Sequence, residues 1–353
     1  GDLVIDSVRT TPESTDLHAM FAAALERGVS AVVMEVSSHA LAMGRVGGVR
    51  FAVGGWTNFG LDHLDFHADA DDYFAAKASL FDGRCDVEVL NLDDPALAPL
   101  LRPATVTFSA AGSEAATWWA EDPSTDGYAQ RFTLAGPDGL RLPARVALPG
   151  RHNVANALLA IASLVAVGVD PKVAVEGVAG RAGLPGRLER VSAPGPVLGV
   201  VDYAHKPDAI VAALAALRAV ADGRGGRLIC VIGAGGDRDR SKRGSMGAAA
   251  AEGADLVIIT DDNPRTENPA EIRAQVSRGA VAAATGAELA EIAGRAAAIA
   301  EAVRRAGPPD VIALLGKGHE RGQEVAGDLL PFDDRVELAG ALAARFGTPE
   351  ESR

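Results

Sequence analysis

Three side chains in the first third of the chain stand where their types could do chemistry. Glu35, in "VVMEVSSH", closes an apolar run that reads as a buried strand, where a carboxylate is costly unless it is paired or holds a metal. An edge position reaching solvent would explain it equally well. His63, in "TNFGLDHLDFH", follows another strand-like run of the same region. A carboxylate oxygen and an imidazole nitrogen can together hold Mg2+ or Mn2+ beside a phosphate, although Mg2+ itself prefers oxygen. His67 comes four residues after His63, but no cysteine pair and no His-Glu-x-x-His pattern supports zinc. Lys77, in "DDYFAAKASLF", lies in a helical stripe with Tyr73, Phe74, Leu80 and Phe81. A snorkelling ammonium explains that placement and is favoured on sequence alone, whereas a buried lysine amine is more readily neutral and reactive.

A second set of polar residues gathers after apolar runs in the latter half. "DYAH" (202–205), "GAGGDRDRSKR" (233–243), "DDNPR" (261–265) and "GKGHE" (316–320) each follow a run of strand formers. Open α/β sheets bind ligands outside the carboxyl ends of their strands, so four such loops at one edge predict a shared pocket. "GAGG" is only half of a dinucleotide fingerprint, with Arg238 where the third glycine belongs, so a dehydrogenase reading rests on little. Glycines beside arginines suit an oxyanion or a carboxylate better. Arg265 offers a planar fork for a carboxylate, and Asn263–Pro264 fixes the turn that presents it. The adjoining "ENPAE" is ordinary helix-start chemistry, with Asn268 as cap and Pro269 at the first helical position. In "RHNVANALLA", Asn153 reads as a helix N-cap, and Asn156, one turn on, has no such explanation.

The elements that must position these residues can be read from periodicity. Helices are expected over 16–28, 70–81, 153–168 and 171–180, and strands over 29–36, 49–58, 86–91 and 104–108. Alternation through 117–148, with "GPDG" between two runs, predicts a β-hairpin. A Gly-, Pro- and Arg-rich stretch at 179–196 marks a domain boundary. Beyond it strands at 197–201, 227–232, 255–260 and 310–315 alternate with helices at 207–221, 243–252, 269–283, 294–306 and from 333. That pattern predicts a mostly parallel sheet flanked by helices, so the whole is an α/β protein of two domains, 1–184 and 185–353.

Composition narrows the function. With 34 Lys and Arg against 47 Asp and Glu, the net charge of -13 argues against nucleic acid or an anionic membrane as partner. Any anionic ligand must then meet local clusters of Arg and Lys. Two cysteines, Cys85 and Cys230, form no disulfide scaffold and fit a reducing, cytoplasmic setting. The longest apolar stretch, "VANALLAIASLVAVGV", is short for a membrane span and reads as a buried helix.

Taken in order, "TTPE", "MEVSSHAL", "TNFGLDHLDFH", "AAKASLF", "HNVANALLA", "GRLERV", "VDYAHKPDA", "GAGGDRDRSKRGSMG", "DDNPRTENP" and "LLGKGHE" resemble the Mur ligase family over essentially the whole chain. The resemblance is to the branch that adds the third amino acid of the peptidoglycan peptide. It implies a central ATPase domain followed by a Rossmann-like C-terminal domain. The family's Gly-rich phosphate loop would precede "TTPE" and is not among these residues, so the expectation is a chain holding most of the central domain and all of the C-terminal one. The implied activity is ATP-dependent joining of meso-diaminopimelate to UDP-MurNAc-L-Ala-D-Glu through an acyl phosphate, by a monomer. A binding-only fragment, an L-lysine-adding ligase and a folylpolyglutamate synthetase-like ligase are the alternatives.

Residue by residue, the resemblance implies that Glu35 and His63 hold Mg2+ and that Lys77 is carbamylated by CO2, becoming an anion that holds a second Mg2+. Thr10, Thr11, Ser37 and Arg45 would contact the muramoyl dipeptide. Asn153, Asn156, Arg187, Asp202 and His205 would surround ATP. Arg238, Asp262, Asn263, Pro264, Arg265, Gly316 and Glu320 would bind diaminopimelate, with Arg265 on its distal carboxylate and Glu320 on its distal ammonium. Lysine in that pocket would leave Arg265 facing an empty partner site, a loss of order ~2–4 kcal/mol.

Overall fold

Apolar runs of β-branched residues and Ala-rich helical stripes build two sheets with helices packed against them. The structure, a computed structural model, describes residues 3–5, 9–60, 62–64 and 66–347; Leu61 and Asp65 of the "GLDHLDF" run lie outside the described residues. The chain forms two compact units. The first comprises Gly1–Ala120, Leu134–Leu142 and Ala155–Val175, and the second Glu121–Thr133, Pro143–Val154 and Glu176–Arg353.

In chain order the first elements are α1 (Ser14–Glu26), α2 (Ser38–Ala42), β1 (Phe51–Trp56), α3 (Ala70–Ala78), β2 (Cys85–Asn91) and β3 (Val106–Ser109). Next come β4 (Trp118–Asp126), β5 (Ala129–Ala135), β6 (Arg141–Val146), α4 (Arg151–Ala166) and α5 (Pro171–Ala179). Strands β1 to β6 form one sheet in chain order, its first four members parallel. The expected hairpin is present as β5 and β6 around Pro137–Gly139. Trp56, Phe81, Leu90 and Leu97 form a small core beneath α3, with Phe59 and Phe74 packed on it.

One expected strand is absent. Residues 29–36 form no ladder among the described residues, and Val33 is 98% exposed. Apolar, β-branched composition favours a strand only where a neighbour can satisfy its backbone, and none of the described strands pairs with this run. Glu35 therefore does not end a buried strand; it is exposed.

The second unit follows with β7 (Glu189–Arg190), β8 (Leu198–Asp202), α6 (Pro207–Arg224), β9 (Leu228–Ile232), α7 (Lys242–Gly253), β10 (Leu256–Ile259) and α8 (Pro269–Ala282). It ends with β11 (Glu288–Glu291), α9 (Arg295–Arg305), β12 (Val311–Leu315), β13 (Gly322–Val325), β14 (Asp328–Pro331) and α10 (Asp334–Phe346). The sheet order is β11-β10-β9-β12-β8-β7, parallel except for the antiparallel edge strand β7. Strands β8, β9, β10 and β12 are buried along their whole length, which is why they read as unbroken apolar runs. Their side chains alternate between two cores. Leu228, Cys230 and Ile232 pack with α6 and α7 residues, whereas Ile229 and Val231 pack with α9 and α10 residues. Burial pushes the Cys230 thiol up to about 12, so it behaves as a small core hydrophobe. Among the described residues no helix is long and apolar enough to cross a membrane.

Candidate active site

In the first unit Thr11 is the organiser. Its buried hydroxyl donates to the Glu35 carbonyl at 2.9 Å and accepts the Ser37 amide at 3.0 Å, which fixes the otherwise unladdered run ahead of α2. Ser37 then caps α2 by accepting the Ala40 amide at 3.2 Å. Arg45, also buried, donates to the Thr11 carbonyl at 3.4 Å and pairs with Glu13 at 3.2 Å, while its Nε has no hydrogen-bond partner. Thr10 is exposed beside Thr11. The structure thus joins Thr11, Glu35, Ser37 and Arg45 by direct contacts.

His63 and Lys77 meet at Tyr73. The His63 ring lies 5.9 Å from the Tyr73 ring and 4.8 Å from that of His39, and its Nε2 is 3.1 Å from Asp62. Residue 63 adopts φ 55°, a left-handed conformation that turns the loop sharply. Lys77 is half-buried, with Nζ 5.5 Å from the Tyr73 ring centre and 5.7 Å from that of Trp56. Cation–π contact therefore accompanies the partial burial that the stripe implies. The Tyr73 phenol is pushed up to about 12 by burial, with the Asp62 charge adding to it, and stays neutral near pH 7. His67 is buried between Ser38 Oγ at 3.0 Å and Asp72 Oδ2 at 3.3 Å. The order resembles a nucleophile, base and acid, but Ser38 is itself buried, so the three act as a brace from α2 to α3. Among the described residues no three His, Cys, Asp or Glu side chains are arranged to hold a metal ion.

In the second unit the four loops do leave the carboxyl ends of β8, β9, β10 and β12. Asp202, at the end of β8, accepts the Leu188 amide at 2.7 Å and the Ala204 amide at 2.8 Å. Burial pushes its carboxyl up, against the lowering pull of those bonds and of Arg187. The guanidinium of Arg187 lies 5.1 Å from the Tyr203 ring centre, and His205 Nδ1 donates to the Tyr203 carbonyl at 2.7 Å. Gly186 adopts φ 68°, and a Cβ there would collide with the Gly318–His319 backbone, so only glycine lets these loops touch. Asn153 is not the cap of α4. That helix begins at Arg151, and the buried Asn153 amide instead donates back to the Pro149 carbonyl at 2.8 Å. Asn156 is exposed.

The "DDNPR" loop is the most heavily engaged. Lys317, completely buried, donates to Asn263 Oδ1 and to Glu320 Oε2, each at 3.0 Å, and lies 3.7 Å from Asp262. Asn263 Nδ2 donates to the same Glu320 oxygen at 2.9 Å. Burial pushes the Asp262 carboxyl up, opposed by Arg295 and Lys317. Arg295 is held by Asp334 through bonds of 2.7 and 2.6 Å and donates to the Leu315 carbonyl at 3.0 Å. Gly316 and Pro264 complete the loop ends, and Arg238 is exposed on the loop after β9. Gly236 donates its amide to the Asn263 carbonyl at 2.8 Å, and a Cβ there would collide with the Pro264 carbonyl. This loop-to-loop contact gives the "GAGG" glycines a structural reason that needs no dinucleotide.

Arg265 departs from the expectation in an informative way. Its Nε contacts Glu324 Oε2 at 2.7 Å, and its Nη1 donates to the Gly236 carbonyl at 2.8 Å. The fork already has a carboxylate. The argument that lysine would leave Arg265 with an empty partner site is therefore overturned.

Glu324 belongs to the β13–β14 hairpin, which periodicity did not reveal. Both strands are short, β13 half-buried and β14 exposed throughout, without the buried apolar run that marks the core strands. The signal was the turn, where Ala326 and Gly327 have φ of 52° and 90° as a two-residue hairpin requires. The hairpin is laid along "DDNPR": Gln323 donates to the Asp262 carbonyl at 2.5 Å, and Glu324 N donates to Asn263 Oδ1 at 3.0 Å. Arg265 N donates to the Glu324 carbonyl at 3.0 Å. Arg243 and Glu267, also unremarked in the sequence, brace the other side. Buried Arg243 donates to both Glu267 oxygens, at 2.8 and 3.1 Å, and to the Gly235 carbonyl at 2.9 Å.

Comparison with known proteins returns a consistent answer. The Mur ligase middle domain matches residues 2–164, and the Mur ligase glutamate ligase domain matches 186–318. A UDP-N-acetylmuramoyl-L-alanyl-D-glutamate–2,6-diaminopimelate ligase of Streptomyces avermitilis is 49% identical over 353 residues, covering 98% of this chain and 69% of the relative. The ligase of the same name from Streptomyces coelicolor gives the same identity and coverage. A solved structure of a protein with that name superposes with a TM-score of 0.66 at 34% identity, covering 96% of this chain and 70% of the other.

Proposed function

The chain belongs to the Mur ligase family, and we propose that its reaction is the ATP-dependent addition of meso-diaminopimelate to UDP-MurNAc-L-Ala-D-Glu in the cytoplasmic stage of peptidoglycan synthesis. The observation that carries the choice of amino acid is the pairing of opposite charges at one edge of the second sheet. Arg265 presents a guanidinium, and Glu320, fixed by Asn263 and Lys317, presents a carboxylate. An amino acid with a carboxylate and an ammonium at its far end complements both. Arg238, Asp262, Asn263, Pro264 and Gly316 complete that pocket, and Arg265 takes the distal carboxylate while Glu320 takes the distal ammonium.

The remaining roles divide between the units. Thr10, Thr11, Ser37 and Arg45 contact the muramoyl dipeptide, and Arg45 is suited to this because its buried Nε lacks a partner. Asn153, Asn156, Arg187, Asp202 and His205 surround ATP. Asp202 does so indirectly, since both its oxygens hold backbone amides and thereby shape the Arg187 and His205 loops. The γ-phosphate of ATP is transferred to the D-Glu side-chain carboxylate. The amine of diaminopimelate then attacks the acyl carbon, its proton is lost, and inorganic phosphate departs as the amide forms.

Glu35 and His63 would hold Mg2+, with Lys77 as a carbamate. The unmodified side chains of Glu35 and His63 offer a hard cation too few oxygens, since among the described residues no three acidic, Cys or His groups are gathered, and a carbamate would add two. Lys77 fits such a modification, because it is half-buried against Trp56 and Tyr73 rather than fully hydrated. Mg2+ there would neutralise charge on the phosphates during transfer.

One observation favours a lysine-adding activity as the second reading: Glu324 spares Arg265 from being unpaired when the distal carboxylate is missing. Phosphate release from ATP by the 353-residue chain, with UDP-MurNAc-L-Ala-D-Glu and either amino acid, separates the readings. Release with meso-diaminopimelate well above that with L-lysine is expected. Equal rates would overturn the specificity, and calorimetric binding of meso-diaminopimelate without turnover would favour a binding-only chain.

A further inference from the structure

Resting on the diaminopimelate reading of this pocket, we propose that Glu324 is a displaceable stand-in for the ligand's distal carboxylate. It occupies the Arg265 fork until the amino acid arrives, and so sets how tightly and how selectively that amino acid is held.

The geometry separates what can move from what cannot. The Glu324 main chain is fastened on both sides, its N–H donating to Asn263 Oδ1 and its carbonyl accepting the Arg265 amide, each at 3.0 Å. Ala326 N donates to the Arg265 carbonyl at 2.7 Å, which ties the turn to the same loop. Only the Glu324 side chain is loosely placed. It is 45% exposed and makes one contact to the fork, whereas the Arg265 side chain is 22% exposed. A carboxylate of that kind can rotate into water without disturbing the hairpin, and a ligand carboxylate can take its place.

The counterion on the other side of the pocket behaves differently. Lys317 is completely buried and fixed by Asn263 and Glu320 together, so it cannot leave. Both contacts to Glu320 are on Oε2. An incoming ammonium therefore joins Lys317 on Glu320, while an incoming carboxylate replaces Glu324 on Arg265. One half of the ligand is added to an existing pair and the other is exchanged for one. L-Lysine needs no exchange and leaves the Arg265–Glu324 pair intact. Glu324 thus weakens diaminopimelate binding selectively and narrows the margin over lysine.

The test is calorimetric titration of the 353-residue chain with meso-diaminopimelate and with L-lysine, for the wild type, E324Q and E324A. Both substitutions keep the backbone bonds. An exposed ion pair and the repulsion between like carboxylates are small effects, so meso-diaminopimelate should bind about three- to tenfold tighter in either variant. L-Lysine should stay within about twofold, and the gain should vanish when Arg265→Ala is added. A merely structural role would not tighten one ligand and spare the other. Unchanged or weaker meso-diaminopimelate binding, in whichever variant unfolds thermally like the wild type, overturns the proposal alone. Failure of the wild type to bind meso-diaminopimelate overturns the pocket reading and this inference together.

Discussion

Lys77 in the first unit and Lys317 in the second are both lysines withdrawn from full contact with water, and the structure treats them in opposite ways. Lys317 is sealed from water and surrounded by oxygens of Asn263, Glu320 and Asp262. Its charge is compensated and its position fixed, so it works as an internal counterion. Lys77 is only half-buried and lies over the faces of Trp56 and Tyr73. Aromatic faces stabilise an ammonium weakly, by about 0.5–1 kcal/mol at accessible sites. The same residue type is a fixed internal counterion in one region and a half-buried cation over aromatic rings in the other, and what decides is the chemistry of the surrounding atoms.

Substitution of each lysine should separate these roles. Lys317→Met removes the ammonium and leaves the buried Asp262 carboxyl without it, next to a Glu320 that is about one-third exposed. Stripping one partner from a buried charge cluster costs about 3–5 kcal/mol, so denaturant unfolding of the second unit should shift by that order. A loss below about 1 kcal/mol would mean that water reaches Lys317. Lys77→Arg keeps a cation over the rings and cannot form the carbamate. Its stability should change by less than about 1 kcal/mol while ATP-dependent phosphate release falls roughly a hundredfold. Release that survives in Lys77→Arg would remove the carbamate from the mechanism and erase the contrast with Lys317.

The contrast also explains what the sequence made legible. The second sheet was readable because β8, β9, β10 and β12 are buried on both faces and therefore unbroken in apolar residues. The four polar loops were readable for the same reason, since each begins where such a run stops. The run 29–36 has equally good strand composition and forms no ladder among the described residues, because composition does not supply a neighbour. The β13–β14 hairpin failed in the other direction. Its backbone pairs well, but its part-exposed side chains carry no periodic signal. Glu324 was missed with it, and with Glu324 the real state of the Arg265 fork. The N-cap expectation for Asn153 fails because N-capping is a common use of Asn near a helix start, while here the helix begins earlier at Arg151.

The smallest expected effect concerns the frame behind Arg265 rather than the pocket itself. Glu267 binds Arg243 through both oxygens and accepts the Asp237 amide at 2.7 Å, tying the loop after β9 to the loop after β10. The hydrogen bonds from Arg243 are the main reason that its carboxyl is held down from the ordinary 4.5 to about 2. A carboxyl lowered by folding binds fewer protons in the native state than in the unfolded one, so stability rises with pH across the gap. Its contribution is fully present above about pH 4.5 and is lost as the pH falls toward about 2. In Glu267→Gln that segment of the profile should flatten, while the variant is less stable than the wild type at pH 7. Thermal unfolding measured between those limits distinguishes the outcomes. A wild type and variant that lose stability in parallel on acidification would show that the Arg243–Glu267 brace adds nothing, and that the position of Arg265 is set by the β13 ladder alone.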